Sequence, residues 1–189
     1  MHSIAYVLMY EEVIDVKKIL FVALVAILVI SCFALNESLI LLLLGDPNVI
    51  ADNTFEKVVD AISEGNYTAI NSMFSASARK DSNLSNEQVN DFLQFVEGEI
   101  VTYSSASETG VVVDQKHEFG KEREIIQSSF RLETTEQTYY IAIIECRKDT
   151  FEWKNAGVTS IYIINAQNWE EDYIFRGEKV KTPGIHILD

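Results

Sequence analysis

Ala51, Phe55, Val58, Val59 and Ile62 recur at spacings of three and four, which places one apolar stripe on a helix running from Pro47 to Glu64. Proline is tolerated in the first turn, and Gly65 supplies the stop. Asn66 can cap a short second helix in which Tyr67, Ile70, Met73 and Phe74 share a face, so the pair reads as a helical hairpin. Ser75 to Asn83 reads as a polar loop. Ser85 and Gln88 then form a capping box with Leu84 and Val89 at staple positions. Val89, Phe92, Leu93 and Val96 make the buried stripe of a third helix that ends at Gly98.

From Ile100 onward the period changes from helical to alternating. Strands are predicted near Ile100 to Ser107, Val111 to Phe119, Arg123 to Thr134, Thr138 to Lys148 and Val158 to Ala166, separated by turn residues. In the third, Ile126, Ser128, Phe130 and Leu132 alternate with Gln127, Ser129 and Arg131, one face buried and one wet. The fourth and fifth strands, with Tyr139 to Ile144 and Ser160 to Ile164, are apolar on both faces, as expected of strands covered on both sides. Residues 168 to 189 read as a segment packed back on the domain, with no register assigned.

Ahead of this domain the pattern is a single block. Lys17 and Lys18 precede an apolar run of signal-peptide length, and Val29-Ile30-Ser31-Cys32 closes it with a small residue before a cysteine. That is the shape of a bacterial lipoprotein signal: cleavage before Cys32, acylation of its thiol and new amino group, and a chain tethered outside the cytoplasmic membrane. The competing reading is an uncleaved anchor, since the apolar run from Ile19 to Leu35 reaches the lower limit for a span. Residues 1 to 15 carry Glu11, Glu12 and Asp15 where a signal wants positive charge, so translation is expected to begin at Val16. The expected organisation is therefore signal peptide at 1–31, lipidated tether at 32–46 and one domain at 47–189.

Charge narrows the partners. The chain of 189 residues has a net charge of -14, and the residues beyond Ser31 keep 13 bases against 26 acids. Such a domain is expected to be repelled by nucleic acid and by anionic lipid head groups, with no basic patch in the sequence to offset that, so no nucleic-acid partner is expected. With Cys32 acylated, Cys146 has no intramolecular partner and is expected to be a small buried hydrophobe. His117 and His186 have no ligand-spaced companions, and Glu170-Glu171-Asp172 lacks the alternating ligands and glycine of a calcium loop, so no metal is expected. Glycine-rich phosphate loops and a nucleophile elbow are absent, so no cofactor is expected either.

Three helices followed by about five strands is the order of elements in the nuclear transport factor 2-like superfamily of cone-shaped, cystatin-like folds. The stretch Phe55 to Ile70, with a helix ending in Gly65-Asn66-Tyr67, resembles the opening of those domains. More narrowly, residues 32 to 189 resemble a family of uncharacterised Gram-positive lipoproteins with a domain of unknown function. The four residues ending at Cys32, Tyr139-Tyr140-Ile141, Asn155-Ala156-Gly157-Val158 and Pro183-Gly184-Ile185 carry that likeness. The resemblance implies an α+β fold in which the three helices pack on a bent antiparallel sheet whose concave face makes an apolar pocket. It implies no reaction, because the superfamily holds isomerases, dehydratases and non-catalytic binding modules.

Isomerase-like members use a carboxylate base with a tyrosine or acid converging inside an apolar cavity. The strand-borne candidates for such a set are Asp114, Tyr139, Glu145 and Tyr162, with His117 on a polar run near a hairpin. A strand-end carboxylate such as Glu145 more commonly faces water than does chemistry. The favoured expectation is a non-catalytic lipoprotein that binds membrane lipid through Cys32 and a small apolar ligand or envelope protein through its domain. An isomerase- or hydrolase-like enzyme and an immunity protein are the alternatives.

Overall fold

The computed structural model describes residues 45–82, 84–106, 111–168 and 182–188. The expected signal segment with Cys32, and nearly all of the tether, lie outside the described residues. The elements below all belong to the compact unit Pro47–Asp189.

Helix α1 spans Pro47–Glu64 and buries Ala51, Thr54, Phe55, Val58, Val59 and Ala61, the stripe that the spacing predicts. It ends in a Schellman motif: the Asn66 amide donates to Ala61 O at 2.7 Å and the Gly65 amide to Ile62 O at 3.1 Å, with Gly65 at φ 60°. Helix α2, Tyr67–Met73, is capped by the Asn66 side chain accepting from the Ala69 amide. The next helix, α3 at Ala76–Asp81, replaces the predicted polar loop. It buries only Ala78 and so shows no periodicity, and its start is set by Ser75 accepting from the Ala78 amide at 3.0 Å. Helix α4, Asn86–Phe95, begins with the predicted capping box of Ser85 and Gln88 and stops short of Gly98 because Val96 is already extended.

Six strands form one mixed sheet among the described residues. They are β1 (Ile100–Ser105), β2 (Val112–Glu118), β3 (Lys121–Thr134), β4 (Thr138–Asp149), β5 (Gly157–Asn165) and β6 (Gly184–Leu188). Strand β3 is long enough to take two partners on one edge: β2 pairs with Lys121 to Gln127 and β1 with Phe130 to Thr134. Strands β4 and β5 follow antiparallel on the other edge. The expected five-stranded antiparallel sheet is corrected at the end of the chain, where β6 runs parallel to β5 with Ile161 opposite Ile185. Parallel pairing needs a crossover rather than a tight turn, so no hairpin signal marks β6 in the sequence.

Side chains from helices and strands share one core, in which Phe55, Ile70, Val89 and Phe92 meet Ile126, Phe130, Ile141, Ile143, Ile161 and Ile163. Phe55 stacks on Phe130 with ring centroids 4.0 Å apart and meets Tyr103 edge-on at 5.4 Å. Burying a phenylalanine stabilises by about 1.5–3 kcal/mol, so this one ring is a main tie between α1 and the sheet. The opposite face of β4 and β5 buries Ala142, Tyr162 and Ile164, with Tyr140, Ile144 and Leu188 against them. Both faces of these two strands are therefore apolar, as their sequence predicts.

Gly157 explains how the link between α2 and α3 reaches the sheet. Its φ is 121°, and a Cβ there would sit 3.0 Å from Met73 O and 3.1 Å from the Ser75 amide nitrogen. That close approach lets the Ser75 amide donate to Val158 O at 2.8 Å, and Phe74 makes a parallel bridge with Val158.

Candidate functional site

The tyrosines and carboxylates singled out in the sequence are placed in four different environments. Tyr139 is 1% exposed on β4, where its hydroxyl donates to Phe95 O at 3.0 Å and accepts from the Glu97 amide at 2.9 Å. Both functions of the hydroxyl are thus used to fasten the end of α4. Burial pushes the Tyr139 phenol above its ordinary pKa, although the hydrogen bond from the Glu97 amide opposes the shift.

Glu145 is half-buried on the face of β4 that looks toward α1, and its carboxylate accepts from the Thr54 hydroxyl at 2.7 Å. It shares that face with Tyr139 but stands six positions along the same strand, roughly 20 Å away at a strand's rise. Tyr162 lies on the other face of the sheet. Its ring stacks on His186 at 4.5 Å, and its hydroxyl donates to Thr182 O at 3.3 Å. The Tyr162 phenol is also raised by burial. Asp114 is exposed on β2 opposite Ile125, and His117 is exposed with its ring 4.0 Å from the Glu122 carboxylate. Among these residues the fold brings no carboxylate and tyrosine together in one cavity.

Sequence patterns gave no warning of a cluster of ion pairs at the far end of β3 and β4. Arg147 contacts Glu124 at 2.5 Å, and the same carboxylate accepts from Gln115 at 3.0 Å. On the neighbouring register pair, Asp149 is fully buried and accepts from Arg123 at 2.7 Å, Asn155 at 2.7 Å and the amides of Phe151 and Glu152. Burial alone would raise the Asp149 carboxyl, but its hydrogen bonds from Asn155, the Glu152 amide, Arg123 and the Phe151 amide outweigh that and hold it below the usual range. The charged runs Lys121 to Glu124 and Arg147 to Asp149 stand out in the sequence. Only the pairing of Arg123 with Asp149 across the strands turns them into partners.

A surface pocket of about 400 Å³ opens at the other end of the same strands, beside the β3–β4 turn. Its walls include Arg131, Glu133, Glu136, Gln137, Tyr140 and Asn165. Arg131 pairs with Glu133 at 3.1 Å, so the pocket offers both signs of charge together with amide donors and acceptors. This suits a small polar ligand better than an apolar one. Cys146 is buried, its thiol donates to Lys148 O at 3.6 Å, and burial pushes its pKa up to about 11, which leaves it an inert thiol. No group of three or more His, Cys, Asp or Glu that could hold a metal occurs among the described residues. Nor is any described helix long and apolar enough to cross a membrane.

Architecture and site together define an α+β domain with four helices and a mixed sheet of six strands among the described residues. The chain belongs to the family described as Domain of unknown function (DUF5104), which it matches over residues 57–166. The matched span begins within α1 and ends just after β5. No curated protein matches the chain.

Proposed function

We propose that this protein is an extracytoplasmic lipoprotein, held to the cell membrane by acyl chains on Cys32, whose domain is a non-catalytic binding module of the nuclear transport factor 2-like kind. The location rests on the run from Lys17 to Cys32, basic, then apolar, then a small residue before cysteine. The superfamily reading is supported by four helices preceding the sheet in sequence and by the core that helix and strand side chains share.

One observation carries the non-catalytic reading. The Tyr139 hydroxyl has spent its donor on Phe95 O and an acceptor site on the Glu97 amide, leaving nothing to polarise a substrate carbonyl. The core that gathers the helix stripes is filled by Phe55, Phe92, Phe130 and isoleucines. A ligand is therefore better accommodated by the polar pocket around Arg131, Glu133 and Asn165.

The test is the mass and N-terminal peptide of the protein taken from membranes of a native-like host, beside a Cys32→Ser variant. Lipoprotein processing gives a wild-type chain beginning at an acylated Cys32 and a variant left unprocessed. A wild-type chain that begins upstream and stays in the membrane overturns lipidation in favour of an anchor, and recovery in the soluble fraction overturns the membrane location itself.

A further inference from the structure

The β2–β3 hairpin turns through Phe119 and Gly120, with Glu118 opposite Lys121 and positive φ at both turn residues, 50° and 76°. That is the two-residue turn in which Asn-Gly or Gly-Gly is strongly preferred, because bulky side chains are strained there. Here a phenylalanine occupies the position and is 97% exposed, so packing within the domain gives nothing back for the strain. A second large aromatic, Trp153, is 74% exposed on the short 3-10 turn Trp153–Asn155. These are the two most exposed large hydrophobic residues among those described.

The two turns are neighbours. The Thr150 amide donates to Glu122 O at 2.8 Å, and the ring of Phe151 has Lys116 Nζ at 5.3 Å, Lys121 Nζ at 5.8 Å and Arg123 Cζ at 5.9 Å from its centroid. Lys154 Nζ lies 5.8 Å from the Trp153 ring. Charge sets this end of the domain apart from the rest. Six of the 13 Lys and Arg beyond Ser31 fall in the two stretches Lys116 to Glu124 and Arg147 to Lys154. Two carboxylates of those stretches, Glu124 and Asp149, are turned inward onto Arg147 and Arg123. Lys116, Lys121, Lys148 and Lys154 then stand against Glu118, Glu122 and Glu152; Lys116 pairs with Glu118 at 2.8 Å and Lys148 pairs with Glu122, so these stretches carry a net of one positive charge on a domain that is otherwise strongly acidic.

From this juxtaposition we infer that the Phe119 and Trp153 turns, flanked by Lys116, Lys121 and Lys154, form a contact with the interface of an anionic bilayer. Trp and Phe settle at the boundary between headgroups and acyl chains, while lysines beside them stay in the headgroup layer. Each lysine near an anionic surface strengthens the contact roughly five-fold. Two aromatics on separate turns suit a fluid interface that closes around each, whereas a folded partner would need a preformed pocket for both. The start of α1 lies at the opposite end of β2, where the Val111 amide donates to Asn48 Oδ1. Residues 32–46 have a contour length of roughly 50 Å, more than the roughly 24 Å of β2, so attachment at Cys32 and this contact are compatible. The contact rests on the membrane location proposed above but not on the lipidation chemistry.

The experiment uses the full chain carrying Trp169→Phe, which leaves Trp153 as the sole tryptophan. It is mixed with vesicles of equimolar phosphatidylglycerol and brominated phosphatidylcholine. Interfacial contact blue-shifts Trp153 emission and quenches it, and adding Phe119→Asn at least halves the quenching. That variant creates the preferred turn sequence and should stabilise the hairpin, so a loss of quenching cannot be put down to unfolding. Lys121→Glu should weaken the quenching as well. A chain that sediments with the vesicles while Trp153 emission stays as in buffer overturns this contact and leaves the membrane location standing. Emission already blue-shifted without lipid points to a protein partner or a second copy, and also overturns it. A chain that remains in the supernatant with Trp153 unquenched overturns the contact, while the membrane location is decided by the Cys32→Ser comparison in the host.

Discussion

Tyr139 on β4 holds the C-terminal end of α4 by donating its hydroxyl to Phe95 O at 3.0 Å, and its ring meets Phe95 edge-on at 5.7 Å. Replacing it as Tyr139→Phe keeps the ring contact but leaves the Phe95 carbonyl and the Glu97 amide without that partner. Both backbone groups are within reach of water, so the loss should be that of one ordinary hydrogen bond, about 0.5–1.5 kcal/mol, and the urea midpoint should fall by that equivalent with the slope unchanged. An unchanged midpoint would mean that the hydroxyl is free for another task, and would reopen a chemical role for Tyr139.

Gly157→Ala should be a damaging small substitution in the sheet. The new methyl would stand 3.0 Å from Met73 O at a φ of 121°, and the backbone on both sides is fixed by the Ser75 to Val158 hydrogen bond. A loss of about 2–3 kcal/mol is expected from strain and crowding together. Gly65→Ala is the control: its φ is 60° but nothing lies within 4 Å of the added carbon, so the cost should be about 1 kcal/mol. Equal losses at the two sites would show that the link between α2 and α3 can move away from β5.

Asp149 predicts the acid limb of stability. Its folded pKa is lowered by its donors, so its contribution is fully present above the unfolded aspartate value of about 3.9 and is lost as pH falls through the lower folded value. Asp149→Asn should therefore cost about 1.5–3 kcal/mol at neutral pH, and the gap to wild type should close only in strongly acidic solution. Urea midpoints for both chains across that range measure it. A gap that persists undiminished at the lowest pH would remove the charge from the explanation.

Cys146 should resist thiol reagents in the folded protein, since it is buried and its pKa is pushed up to about 11. Maleimide at mildly alkaline pH, followed by intact mass, should label it only in denaturant. Rapid labelling of the native chain at Cys146 would mean that β4 opens locally.

Much of the fold was legible because it is built from local patterns. The stripe of α1 and the capping box of Ser85 and Gln88 depend on residues within one or two turns of each other, and both elements stand where those patterns put them. Helix α3 was not legible, because six residues with one buried side chain have no period to read. The candidate site was legible only as residue types. Tyr139 and Glu145 face the same way on β4 yet stand apart, and Tyr162 faces the opposite way from both, so strand parity and register decided that they do not act together.

By itself the sequence determined the α+β class, the order of helices before strands, the double-faced burial of β4 and β5, and the acidity of the chain. Each is set by composition or by periodicity over a few residues, which side-chain burial and backbone geometry impose directly. The tertiary structure decided the rest: the parallel pairing of β6, the two partners that β3 takes on one edge, the burial of Asp149 on Arg123, and the nearness of the Phe119 and Trp153 turns. These depend on which segments meet across large sequence separations, and a local pattern carries no energy term for a contact it does not contain.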